Sequence, residues 1–87
     1  MPLRLSSHAS EQAARRGIEE GVVLEVALNP QQTLQVSSDR EIRQSRLLDL
    51  DRGHEVLIRV VVDRLGADDL IVTVYRTSKI QKYWMEP

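Results

Sequence analysis

Two periodicities divide the chain. From Ser6 to Leu28 the apolar residues recur at helical spacing, and from Thr33 to Thr77 they alternate with polar neighbours or run together as in buried strands. Ser6 or Ser7 is expected to cap a helix over 8–16, because a serine hydroxyl accepts from the unpaired amides of a first turn. Gly17 suits the C-terminal stop, where positive φ is common, and Arg15 and Arg16 sit at the negative end of the helix dipole. A second helix is expected over 19–28. Glu19 and Glu20 favour its positive end, Val22 and Val26 mark a buried side, and Pro30 disfavours helical backbone at Asn29. Strands are expected over 33–38, 41–50, 55–63 and 70–77, with the apolar run Val56 to Val62 as the central one. Leu3 and Leu5 read either as a short leading strand or as side chains packed under the first helix. Short connections favour neighbouring elements. The expected class is therefore α+β, an N-terminal helical hairpin packed on a four-stranded antiparallel sheet, as one domain over 1–87.

Strand parity then assigns side chains to faces. A turn centred on Gly66 sets Leu57, Arg59 and Val61 opposite Tyr75, Thr73 and Ile71. The other face carries Val56, Ile58, Val60 and Val62 with Leu70, Val72 and Val74, and its aliphatic character marks it as the one under the helices. A tight turn at Arg52-Gly53 pairs Arg46 with Arg59. Like charges directly opposite each other are destabilising unless compensated. A bound phosphate would compensate them, as would ion pairing with Asp49 or Asp63, or divergence of the two side chains into water.

Composition narrows the chemistry. The chain has no Phe, two Tyr and one Trp, so its core is aliphatic, and without Cys there is neither a disulfide, a thiol nucleophile nor a cysteine metal site. No apolar run approaches the roughly 20 residues that span a bilayer, so a soluble, cytoplasmic protein without membrane contact is expected. A net charge of -1 argues against a broad nucleic-acid footprint. Near the C-terminus the balance differs: Arg76, Lys79 and Lys82 are opposed only by Glu86.

No phosphate-binding glycine loop, nucleophile elbow, dinucleotide fingerprint or metal-spaced histidine pair is present, and no cofactor is expected. His54 falls in a predicted turn and reads as solvated. His8 reads as a general base or, equally, as a capping or packing residue. Metal-independent RNA cleavage needs a base, an acid and cationic donors for the charge developing on phosphate. His8 or Tyr83 has the proton chemistry, and Arg46, Arg59, Arg76, Lys79 and Lys82 the phosphate chemistry, although each cation also reads as solvated surface. Tyr75 shares the Arg59 face. Tyr83-Trp84 either closes one end of the core or stacks on a base or partner.

Taken together, His8-Ala9, Arg16-Gly17-Ile18, Asn29-Pro30, Val72-Thr73-Val74-Tyr75-Arg76-Thr77-Ser78-Lys79 and Lys82-Tyr83-Trp84 resemble the small bacterial family called domain of unknown function 4258, over nearly the whole chain. That family is distantly similar to the RelE/ParE-like toxins of toxin-antitoxin pairs, several of which cleave messenger RNA on the ribosome and are neutralised by an antitoxin chain. The resemblance implies a RelE-like fold, a phosphate-binding Arg59, and Lys82-Tyr83 in the position of C-terminal catalytic residues. It implies a catalytic set of His8, Arg59 and Tyr83, an RNA or phosphate surface of Arg46, Arg59, Tyr75, Arg76, Lys79 and Lys82, and RNA, the ribosome or an antitoxin protein as partners. On this reading Arg46, Arg59, Tyr75 and Tyr83 gather in one cleft with His8 near its rim. Such nucleases are generally basic, and this slightly acidic chain departs from them. The alternatives are a noncatalytic interaction module, using the edge strand 33–38 or the C-terminal aromatic pair, and a self-associating domain that forms a homodimer.

Overall fold

The computed structural model describes residues 3–86. A short strand, β1 (Leu3–Leu5), leads into Ser6, whose hydroxyl accepts the Ala9 amide at 3.0 Å and starts α1 (Ser7–Arg15). Gly17, at φ 67°, ends that helix, and α2 (Glu20–Leu28) follows after a short turn. Next come β2 (Gln32–Gln35), β3 (Arg40–Asp49), β4 (His54–Leu65) and β5 (Asp68–Thr77). One further turn of helix, α3 (Ile80–Tyr83), lies near the C-terminus.

The sheet has five strands in the order β1-β5-β4-β3-β2 and is mixed. β1 runs parallel to β5, with Leu3 against Asp69 and Leu5 against Ile71, while the other pairings are antiparallel. This overturns the expected RelE-like arrangement of a helical hairpin on a four-stranded antiparallel sheet, and α3 is a third helix that arrangement lacked. The cause is non-local. A Leu-Arg-Leu segment is too short to show a period, and its partner strand lies at the far end of the chain.

Turn length and a bulge reset two registers. Asp49 pairs with His54, so the β3–β4 loop runs from Leu50 to Gly53, with the Arg52 and Gly53 amides donating to the Asp49 carbonyl at 3.2 and 2.8 Å. Gly53 takes φ 73° there. Arg46 consequently faces Leu57, and Arg59 faces Gln44. The expected Arg46–Arg59 pair does not form, and an amide takes the place of the like charge. Between β4 and β5, Val61 pairs with Thr73 and Val62 with Ile71, which leaves Val72 bulged out of the ladder. Tyr75, rather than Thr73, therefore lies opposite Arg59, and buried Ile71, rather than Leu70 or Val72, joins the covered face.

That covered face is the core. Val56, Ile58, Val60, Val62, Ile71 and Val74 pack against Ala9, Ala13, Ile18, Val23, Val26 and Ala27 of the helical layer, all of them buried. Each buried Val or Ile contributes about 1.5–3 kcal/mol relative to exposure. Polar clasps fix the helices in place. Arg43 donates to the Ala27 carbonyl at 2.8 Å, to Glu41 at 2.7 Å and to Asp69 at 2.9 Å, tying the end of α2 to β3 and β5. Burial alone would lower the Arg43 pKa, but the bonds to Glu41 and Asp69 outweigh it and hold the guanidinium charged. Beyond β1, the outer edge of β5 is covered by α1: Gln12 accepts the Val74 amide at 3.1 Å and Arg16 donates to the Val74 carbonyl at 2.6 Å.

Candidate nucleic-acid interface

The register places Gln32, Gln44, Arg59 and Tyr75 in one row across four strands, on the face away from the helices. Arg59 sits centrally and is 5% exposed. Its Nε donates to the Gln44 side-chain oxygen at 2.9 Å and its Nη1 to the Tyr75 hydroxyl. The guanidinium stacks over the Tyr83 ring at 4.2 Å, and Tyr75 meets Tyr83 edge to face, with centroids 6.4 Å apart and planes at 74°. Among the described residues no carboxylate lies within 4.0 Å of Arg59. Its charge is met by neutral acceptors and aromatic faces.

Two glutamines bring the C-terminal segment across this row. Gln44, fully buried, donates to Gln32 at 2.7 Å and to the Tyr83 carbonyl at 3.2 Å. Gln32 donates to the Met85 carbonyl at 2.7 Å and accepts the Met85 amide at 3.1 Å. The segment so held forms one side of a groove of about 550 Å³ lined by Arg46, Ser78, Lys79, Lys82, Trp84 and Glu86, among others. Arg46 lies over the Trp84 ring at 5.1 Å while donating to Glu55 at 2.7 Å. Lys79 and Lys82 are exposed, and no carboxylate lies within 4.0 Å of either among the described residues. Lys82 also places its ammonium 5.3 Å from the Tyr83 ring. The arrangement offers an aromatic surface beside two unneutralised cations, the combination that holds single-stranded nucleic acid.

Arg59, Tyr75 and Tyr83 thus meet, with Arg46, Lys79 and Lys82 in the adjoining groove. Two sequence-derived candidates are elsewhere. Arg76 pairs with Ile58 on the helix-covered face and donates to the Arg16 carbonyl at 2.8 Å. His8 is exposed in the first turn of α1, the helix whose Ala9 and Ala13 pack into the core, and among the described residues it makes no hydrogen bond to Arg59 or Tyr83. Gln32 and Gln44 escaped sequence reasoning, though a polar pair at matching parity on neighbouring strands was the available signal. Among the described residues no group of three or more histidine and acidic side chains is placed to hold a metal, and no helix is long and apolar enough to cross a membrane.

The pattern of a family described as domain of unknown function (DUF4258) matches residues 5–76. The chain belongs to this family. Within the DUF4258 match lie Arg46, Arg59 and Tyr75, whereas Lys79, Lys82, Tyr83 and Trp84 follow its end. No curated protein and no solved structure matches the chain. The likeness to RelE/ParE-like toxins is without support, and no toxin-antitoxin or ribonuclease role follows from belonging to DUF4258.

Proposed function

We propose that this DUF4258 protein binds single-stranded RNA along its C-terminal groove and holds it without cleaving it. The observation that carries the reading is the convergence of Trp84 with Lys79 and Lys82, neither of which has a carboxylate within 4.0 Å among the described residues, in one groove of about 550 Å³ whose wall also includes Glu86. A base stacked on an aromatic side chain contributes about 1–3 kcal/mol, and lysine contacts to phosphate add a salt-dependent attraction. The chain's net charge of -1 suits a short, local contact rather than a long electrostatic track. Arg59 supports the groove from below, holding Tyr83 and, through Gln44, the Tyr83 carbonyl. Cleavage by His8, Arg59 and Tyr83 is disfavoured, since proton transfer requires groups within hydrogen-bond reach of one substrate and His8 is on α1 whereas the other two meet on the uncovered face.

Trp84 is the chain's only tryptophan and serves as an intrinsic reporter. Titration with a short single-stranded oligoribonucleotide is expected to quench its fluorescence. Each single-strand phosphate contact contributes about 0.7 to the slope of log affinity against log salt, so the two lysines give a slope of roughly -1.4. Replacing Lys79→Gln and Lys82→Gln together should flatten it. Unchanged Trp84 emission at low salt would refute the proposal.

A further inference from the structure

We propose a second, separate site on the helical side of the sheet, which binds a small aliphatic monocarboxylate. Between the α1–α2 turn and the β3–β4 hairpin lies a cavity of about 630 Å³, within the range of small-molecule sites. Its apolar lining comes from both layers of the fold: Ile18 after the first helix and Val22 on α2, with Val56 and Ile58 on β4. Ile18, Val56 and Ile58 belong to the core, so the apolar floor is rigid.

Besides Arg52, which lies 3.5 Å from Asp49, two arginines line the cavity, Arg16 and Arg76. Arg16 is fixed by its bond to the Val74 carbonyl at 2.6 Å and Arg76 by its bond to the Arg16 carbonyl at 2.8 Å. Each bond uses one donor of a group that has five. Among the described residues neither arginine has a carboxylate within 4.0 Å. Two oriented and unneutralised guanidiniums beside an apolar floor fit a carboxylate carried on a hydrocarbon body, the anion engaging the planar forks and the chain lying along Val22 and Val56. Glu19, Asp49 and Asp51 also line the cavity. They oppose a polyanion such as a nucleic acid strand, and Asp49 is already engaged with Arg52 at 3.5 Å. The site therefore selects a singly charged, amphipathic ligand, and its chemistry differs from that of the groove on the opposite face.

The test uses the full chain with octanoate as the probe, observed through methyl and amide NMR shifts. Saturable shifts at Ile18, Val22, Val56 and Ile58 are expected, with octanol and inorganic phosphate each at least tenfold weaker. Arg76→Gln should weaken octanoate about tenfold with an unchanged spectrum in the core, and Arg76→Lys should recover only part of the loss. Should Arg76→Gln perturb the fold, intermolecular contacts between octanoate and the methyls of Val22 and Val56 in the unmodified chain decide the matter. Equal binding of octanol and octanoate, shifts confined to the Lys79–Lys82 groove, or no shift at millimolar octanoate would each overturn the proposal.

Discussion

Arg59 is the residue on which the uncovered face depends. A guanidinium buried without a carboxylate loses its hydration, and here the return comes from Gln44, the Tyr75 hydroxyl and the Tyr83 ring. Truncation to alanine removes all three interactions and leaves a void; Arg59→Ala is expected to lower stability by about 2–4 kcal/mol in urea unfolding, with loss of the Tyr83 packing. Arg59→Met, which needs no hydration, should cost less. A surface ion pair provides a contrasting case. Hydrogen bonding from Arg40, at 2.6 and 3.0 Å, holds the Asp63 carboxyl below the usual range. A depressed carboxylate pKa contributes stability that is fully present above the ordinary unfolded value of about 4 and is lost as pH falls through the lower folded value. Asp63→Asn should therefore make stability less sensitive to acidification below about pH 4, as measured by thermal melting at stepped pH. The sequence showed that Arg59 and Tyr75 share a face, and that assignment held because the turn and the bulge together move the register by two residues, which keeps the faces. It did not show Gln44 opposite Arg59, because a longer β3–β4 loop moved the register by two residues while keeping the faces.

At the scale of elements, the bulge at Val72 decides which side of β5 is buried. Strict alternation places Leu70 and Val72 under the helices, yet Ile71 is fully buried and both of those are partly exposed. Ile71→Ala should therefore cost about 2–5 kcal/mol. Leu70→Ala should cost much less, and equal costs in chemical denaturation would argue for an unbulged strand. The two longer helices and strands β2 to β5 were legible because each has its own period, cap or stop, as with Ser6 at the start of α1 and Gly17 at its end. β1 and α3 were not. One is three residues long and the other four, and both owe their form to tertiary partners: the neighbouring strand β5 for β1, and the Arg59, Gln44 and Gln32 row beneath the C-terminal segment.

Across the whole molecule, the sheet divides two chemistries. The helix-covered face holds the core with Arg16 and Arg76 at its margin, and the other face holds Arg59 and the groove of Lys79, Lys82 and Trp84. The cationic C-terminus could be read from the chain, and strand alternation from Val74 sets Arg76 on the covered face, where it pairs with Ile58. If RNA lies in the groove, His8→Ala should leave its affinity unchanged in a fluorescence titration. The most direct measurement is an amide NMR map of the full chain titrated with a short single-stranded oligoribonucleotide. RNA binding at the groove predicts saturable shifts concentrated at Arg46, Ser78 to Lys82 and Trp84, with His8 and the α1 face silent. Shifts centred on α1, or none at low salt, would contradict it.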